Sequence, residues 1–123
     1  IQLGNEKITV EKINHIAQKI GIDDFGTKFT NGFLTKIQDG NSQLSYSNKK
    51  IILLLRALAT DNKIIILEDP YDGLSKEIKE KMIAFLQELA KEKTIIVVTQ
   101  DDDFIQKAHQ HFHMINGLLE TKK

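Results

Sequence analysis

Two adjacent carboxylates, Glu68 and Asp69, end an aliphatic run in the stretch KIIILEDPYDGLS, directly before Pro70. Carboxylates that leave a strand side by side point in roughly opposite directions, so one could hold a hydrated divalent cation while the other faces a water molecule. A second aliphatic run ends at Thr99 and Gln100, with three aspartates behind them. The plainer alternative is that both strands simply end in polar residues, and the residue types alone leave both interpretations open.

The elements that must position these groups are two strands and the helix between them. Continuous apolar runs predict strands at Ile64–Leu67 and Thr94–Thr99, the second covered on both faces. Between them, apolar residues at helical spacing predict a helix capped by Ser75; they are Ile78, Met82, Phe85, Leu86 and Leu89. Strand, helix and strand in this order predict a right-handed parallel βαβ unit. Ligands bind at the carboxyl ends of such strands, so both polar groups should share one edge.

The rest of the chain predicts helices on one side and a hairpin on the other. A helix capped by Thr9 and stopped at Gly21 comes first, and the segment 23–40 follows with Phe25, Phe29, Phe33, Leu34 and Ile37 as expected buried anchors. A serine-led helix in LSYSNKKIILLLRALATDN has Ile51, Leu54, Leu55 and Leu58 on its apolar face, and Asn116-Gly117 predicts a terminal hairpin. The fold class is therefore α/β, with a helical part at 1–62 and an α/β part at 63–123.

Composition excludes several functional classes. Seventeen basic and seventeen acidic residues cancel among 123, so no net field favours nucleic acid or an anionic membrane surface. There is no cysteine, which excludes disulfides and thiolate metal sites. The longest aliphatic run, Ile51–Leu55, is far shorter than the ~20 residues of a membrane helix. We expect a soluble chain without direct membrane insertion.

Three stretches together resemble the ATP-binding cassette (ABC) ATPases: GNSQLSYSNKKIILLLRAL, RALATDNKIIILEDPYDGLS and KTIIVVTQDDDF. That family has a signature helix beginning LSGGQ, a strand ending in Asp-Glu-Pro, a D-loop such as SALD, and a strand ending in Thr-His. The upstream segments LGNEKITVEKI and IDDFGTKFTNGFLTKIQDGNSQLS are similar to the helical subdomain of the exporter subgroup. The resemblance covers nearly the whole chain in the right order and implies part of a P-loop NTPase fold.

In the signature segment, the resemblance implies that residues 45–48 face the ATP of a partner subunit. Ser45 matches the signature serine, whereas Tyr46 and Ser47 stand where the family has two glycines and Asn48 replaces glutamine. Glycines there let the backbone approach a γ-phosphate, so tyrosine should hinder that approach. Ser75 stands at the usual D-loop aspartate.

At the strand ends, the resemblance implies a catalytic role for three residues. Glu68 takes the metal-linked aspartate position and would hold Mg²⁺ through water, and Asp69 takes the catalytic glutamate position. Because its side chain is one methylene shorter, Asp69 should activate the attacking water less well. Gln100 replaces the switch histidine and can bond a γ-phosphate without carrying charge.

The resemblance further implies ATP and Mg²⁺ as cofactors of the intact protein. It also implies a transmembrane domain and a second nucleotide-binding domain as partners, at the cytoplasmic face of the cell membrane. The P-loop pattern G-x-x-x-x-G-K-[ST] does not occur, and the nearest match, GIDDFGTK, has its last two residues inverted and follows a helix. We therefore expect the C-terminal half of a cassette that neither binds ATP tightly nor hydrolyses it alone.

Other interpretations remain at this stage. The substitutions at Tyr46, Ser75 and Gln100 also fit a degenerate cassette that binds or scaffolds without turnover. A phosphoacceptor receiver domain has similar length, but its acidic pair follows the first strand. His109, His111 and His113 would share one face of a strand and could bind zinc, although a half-exposed strand explains the alternation equally well.

Overall fold

The computed structural model describes residues 6–28, Gly32 and residues 44–122. In the described part, the predicted helices and strands follow in the predicted order, with two additions: a 3-10 helix at Asp23–Lys28 after the first helix and a short helix before the hairpin. The elements are α1 (Val10–Lys19), α2 (Tyr46–Ala59), β1 (Ile64–Glu68), α3 (Lys76–Leu89), β2 (Thr94–Val98), α4 (Asp102–Lys107), β3 (His111–Ile115) and β4 (Leu118–Lys122).

Hydroxyl caps start the three long helices where the sequence predicts them. Thr9 Oγ1 accepts from the N–H of Lys12, Ser45 Oγ from that of Asn48, and Ser75 Oγ from that of Ile78; these distances are 3.2, 3.2 and 3.3 Å. Each oxygen satisfies an N–H that has no partner inside its helix. The caps thereby fix where α1, α2 and α3 begin.

The central βαβ unit has the predicted parallel pairing. β1 pairs with β2 in parallel, with Ile64 opposite Thr94 and Glu68 opposite Val98. Helix α3 connects the two strands. Their carboxyl ends consequently lie side by side, which confirms the expectation that the two polar groups share one edge.

One face of this sheet is buried and the other is open. Ile65 and Leu67 of β1 are buried, and their β2 partners Ile95 and Val97 pack against the same core. On the opposite face the exposed fractions are 59% for Ile64, 66% for Ile66, 45% for Ile96 and 56% for Val98. The prediction that β2 is covered on both faces is therefore wrong for the described chain: its burial alternates, because the described helices pack on one side only.

Among the described residues, a cluster of buried side chains joins the helices to the sheet. It includes the predicted face of α2 and most of that of α3, whose remaining members Ile78 and Leu89 are partly buried. Phe25 is buried as expected, whereas the other anchors proposed for 23–40 (Phe29, Phe33, Leu34 and Ile37) lie outside the described residues. The cluster has members on both sides of residue 62, and the division into 1–62 and 63–123 stays a prediction.

The C-terminal hairpin forms as Asn116-Gly117 predicts. β3 and β4 pair antiparallel, and both turn residues have positive φ, 50° and 78°. This backbone suits Asn and Gly and matches the twist of the two strands. β3 begins at His111, so His109 precedes the strand and the three histidines do not share one strand face. His111 and His113 do, with ring centroids 6.2 Å apart.

Candidate functional site at the carboxyl ends of β1 and β2

The acidic pair lies where β1 leaves the sheet. Glu68 is the last residue of β1 and is exposed, in register with Val98 on the open face. Asp69 is half-buried, and its backbone N–H donates to the carbonyl oxygen of Val98 at 2.9 Å. Within the described residues, neither carboxylate takes part in an ion pair or a side-chain hydrogen bond. Both are available to a ligand.

A left-handed backbone at Asp69 turns the chain out of the strand. Its φ is +38°, and its carbonyl accepts from the N–H of Asp72 at 3.1 Å. Aspartate is among the few non-glycine residues enriched in this region, and here backbone hydrogen bonds hold the turn. The chain then passes through buried Pro70 to Ser75, the cap of α3. The second carboxylate is therefore held on a tight turn.

Gln100 lies beyond the end of β2, at the same edge of the sheet as the acidic pair. It is exposed, and its side chain makes no hydrogen bond within the described part of the chain. Its neighbours are anchored: the N–H of Asp101 donates to Thr99 Oγ1 at 3.1 Å, and Thr99 Oγ1 donates to Tyr71 Oη at 3.4 Å. Asp101 also caps α4 by accepting from the N–H of Asp103 at 3.0 Å. The aspartates after Gln100 thus begin a helix.

The first turn of α2 contacts the loop that follows the acidic pair. Tyr46 Oη donates to Asp72 Oδ2 at 3.3 Å, and Lys50 Nζ lies 3.9 Å from the same oxygen and 5.6 Å from the Tyr46 ring centroid. A Cβ built on Gly73 would meet Ser47 Oγ at 3.2 Å, so the loop approaches the helix closely. The structure therefore brings the first turn of α2 beside the β1–α3 loop, and Tyr46 is bonded to that loop although its side chain is 64% exposed.

One contact residue of this edge, Lys79, is not evident in the sequence. Lys79 of α3 reaches Asp101 and Asp103, and its Nζ lies 5.6 Å from the centroid of the Tyr71 ring. The only advance signal is the run of three aspartates, whose charge favours a nearby cation. A lysine within α3 otherwise fits a solvated helix face.

Glu68 fits a magnesium ion as a single carboxylate ligand, but the described side chains do not form a complete site. Mg²⁺ keeps several waters and takes one or two carboxylates together with phosphate oxygens, so Glu68 suits it as an exposed, unpaired carboxylate. In the described chain no group of three or more His, Asp or Glu residues is arranged to hold a metal ion. A complete metal cage of side chains is thus not built from these residues, and phosphate and water would supply the other ligands.

The fold of the chain is similar to part of a solved ABC exporter. A solved bacterial Atm1-family ABC exporter with ATP bound superimposes with a TM-score of 0.74, covering 93% of this chain and 20% of that one at 17% identity. At this identity the likeness shows the fold alone. No protein-family model matches the chain.

Sequence similarity to curated proteins defines the class of protein more narrowly than the fold does. Human ATP-binding cassette sub-family B member 5 is 30% identical over 122 residues, 99% of this chain and 10% of that protein. The Bacillus subtilis glutathione/L-cysteine transport system ATP-binding/permease protein CydD is 28% identical over 122 residues, 99% of this chain and 21% of its own length. The Vibrio parahaemolyticus ATP-dependent lipid A-core flippase is 30% identical over 114 residues, 93% of this chain and 20% of its own.

The chain is therefore homologous to a segment of the ABC exporter ATP-binding/permease proteins. It spans about a tenth to a fifth of the length of these relatives. Within the described residues, no helix is both long and apolar enough to cross a bilayer.

Proposed function

We propose that this chain supplies the signature and Walker B elements of an ATP-hydrolysing exporter domain. The observation that carries the proposal is the register of β1 and β2, which puts Glu68 opposite Val98 and brings Asp69 and Gln100 to one edge. In the ABC fold this edge faces the nucleotide, as the resemblance implies. The proposed ligand is Mg-ATP, and the proposed partners are a transmembrane domain and a second nucleotide-binding domain at the cytoplasmic face of a membrane.

Glu68 and Asp69 have separate roles in this proposal. Glu68 would bind the metal through water, for which its exposed and unpaired carboxylate is suited. When bound, Mg²⁺ offsets negative charge on the phosphate oxygens. Asp69 would accept a hydrogen bond from the attacking water and orient it, with its backbone fixed by the hydrogen bond to Val98. The shorter side chain makes slow turnover the expected behaviour.

Gln100 and the start of α2 would contact phosphate groups. The amide of Gln100 can donate to a γ-phosphate oxygen without any change of charge with pH. Ser45, Tyr46, Ser47 and Asn48 would face the ATP held by the partner subunit, and Ser75 would lie in the loop between the two sites. Tyr46 bonds to Asp72 and so leaves less room at this helix terminus than a glycine would.

The test is Asp69→Asn in the complete exporter that contains this segment. We expect ATP turnover to be lost while ATP binding is retained, because the amide preserves the shape and removes the base. Glu92→Gln, at an exposed carboxylate between α3 and β2, is the matched control and should keep full turnover. Unchanged turnover in Asp69→Asn would show that the water is activated elsewhere.

The second candidate is a cassette that binds or scaffolds without turnover, and the bond between Tyr46 and Asp72 favours it. In that case the unmodified exporter shows no ATP hydrolysis above background. The double variant Tyr46→Gly, Asp69→Glu restores the usual residues at two positions and should then raise hydrolysis. Measurable hydrolysis that Asp69→Asn abolishes would exclude this candidate.

A further inference from the structure

Gln100 lies in the chain between Thr99 and Asp101, and hydrogen bonds hold both of these neighbours. Thr99 Oγ1 donates a hydrogen bond to Tyr71 Oη. The N–H of Asp101 donates to the same Thr99 Oγ1. The side chain of Gln100 itself makes no hydrogen bond within the described residues, so its location depends on these neighbours. Whatever fixes Asp101 and Tyr71 therefore also fixes the backbone from which Gln100 projects.

Lys79 contacts both of those anchors from helix α3. Its Nζ lies 3.0 Å from Asp101 Oδ2 and 2.5 Å from Asp103 Oδ2, and it lies 5.6 Å from the Tyr71 ring centroid. The Tyr71 ring also packs against Phe104, with centroids 5.3 Å apart. Tyr71 belongs to the loop after β1 and Asp101 to the loop after β2, so one lysine joins the two loops that carry the candidate site.

This ion pair is well shielded compared with the others in the described structure. The side chains of Lys79 and Asp101 are each 16% exposed, whereas both partners of the Lys81–Glu77 pair on the same helix are at least 47% exposed. Shielded, charge-assisted hydrogen bonds hold geometry more firmly than exposed pairs, which water and salt weaken. Lys79 therefore constrains the two loops, while Lys81 offers a matched lysine with its own carboxylate partner elsewhere on α3.

Lys79 and Asp101 each stabilise the charged form of the other, as the directions of their pKa shifts indicate. Burial alone would raise the pKa of Asp101, but the Lys79 ammonium and the N–H groups of Phe104 and Asp103 outweigh it, so the pKa lies below its usual value. Hydrogen bonds to Asp103 and Asp101 raise the pKa of Lys79. Both groups are ionised at neutral pH.

We propose that Lys79 is a positioning residue that sets the place of Gln100 relative to the Glu68–Asp69 pair by holding Asp101 and Tyr71 together. The role assigned to Gln100 rests on the proposed function, whereas the positioning itself does not. Within the described residues, no hydrogen bond or ion pair joins Lys79 to Glu68, Asp69 or Gln100, so it acts through Asp101 and Tyr71.

The first measurement is amide hydrogen exchange by NMR on the 123-residue chain. In Lys79→Met, the N–H of Asp101 should exchange about tenfold faster. The variant loses the charge-assisted contact between Lys79 and Asp101, which holds the loop in which the Asp101 N–H bonds to Thr99 Oγ1. The N–H of Asp69, bonded to Val98, reports on the sheet and should change less than about twofold. Lys79→Arg should restore slow exchange at Asp101, and Lys81→Met should leave both amides unchanged.

An equal increase at Asp69 and Asp101 would overturn the proposal, because Lys79 would then support overall stability only. Unchanged exchange at Asp101 would overturn it as well. These outcomes are independent of whether the protein hydrolyses ATP.

The second measurement is ATP hydrolysis by the complete exporter. Lys79→Met should lower kcat about tenfold with the KM for ATP changed less than about twofold, because the misplaced group acts on the transition state rather than on binding. Lys79→Arg should recover most of kcat, and Lys81→Met should match the unmodified protein. Unchanged kcat despite faster Asp101 exchange would overturn the link to Gln100. Absence of hydrolysis in the unmodified exporter would instead contradict the proposed function and leave the exchange result standing.

Discussion

The N–H of Asp69 donates to the carbonyl oxygen of Val98 at 2.9 Å, one residue beyond the last paired position of β1. The parallel ladder thus extends into the turn that carries the second carboxylate. Asp69 adopts a φ of +38° at the same point. The backbone of this residue is fixed while its side chain remains unbonded within the described structure, which suits a group that must meet a ligand.

The left-handed backbone predicts a specific order of stability among variants at Asp69. Asp69→Ala should unfold more easily than Asp69→Gly by about 1 kcal/mol, because alanine carries a Cβ that is disfavoured at positive φ and glycine does not. Asp69→Asn should stay close to the unmodified chain, since asparagine also tolerates this region. Urea unfolding followed by circular dichroism measures the differences. Equal stabilities for Ala and Gly would mean that the turn relaxes to negative φ.

The cap of α3 predicts the outcome of changes at Ser75. Ser75 Oγ accepts from the N–H of Ile78, so Ser75→Ala should lower the free energy of unfolding by about 1 kcal/mol. Ser75→Asp should leave it nearly unchanged, because aspartate caps a helix as well as serine does. Thermal unfolding of the three proteins tests both statements. A loss in Ser75→Asp as large as in Ser75→Ala would contradict the capping role.

Much of this fold could be predicted from the sequence because its signals are local. The caps at Thr9, Ser45 and Ser75 are hydroxyl residues directly before apolar periodicity, and Asn116-Gly117 has the backbone preference of a tight hairpin. The location of Glu68 and Gln100 at one edge of the sheet followed from the parallel strand order of βαβ units. Each of these inferences needs only near neighbours or a topology rule.

The remaining features depend on which segments meet in space. The apolar run of β2 indicates residues suited to burial, but it does not say which segment covers each face, and Ile96 and Val98 are exposed in the described chain. The contact of Lys79 with Asp101 depends on α4 packing beside α3, and the bond of Tyr46 to Asp72 depends on how α2 meets the β1–α3 loop. None of these contacts follows from periodicity or spacing.

The two faces of β1 predict opposite responses at adjacent isoleucines. Ile65→Ala should cost about 2–4 kcal/mol of unfolding free energy, because it removes buried carbon from the core and leaves a cavity. Ile66→Thr should cost less than about 0.5 kcal/mol, since its side chain is already exposed and threonine suits a strand. Urea unfolding of both variants gives the comparison. A large loss in Ile66→Thr would show that the open face is covered in solution, and gel filtration at several concentrations would then reveal self-association.

The ion pair of Lys79 with Asp101 predicts an acid-dependent loss of stability. Because the folded pKa of Asp101 is lowered, its contribution is present above the unfolded pKa of about 3.9 and disappears as the pH falls through the folded value. Asp101→Asn keeps the cap of α4 but removes the charge, so its free energy of unfolding should fall less between pH 6 and pH 2 than that of the unmodified chain. Asp102→Asn, at an exposed neighbour without an ion pair among the described residues, should follow the unmodified chain. Urea unfolding across this pH range provides the test, and identical slopes for Asp101→Asn and the unmodified chain would contradict a stabilising charge at Asp101.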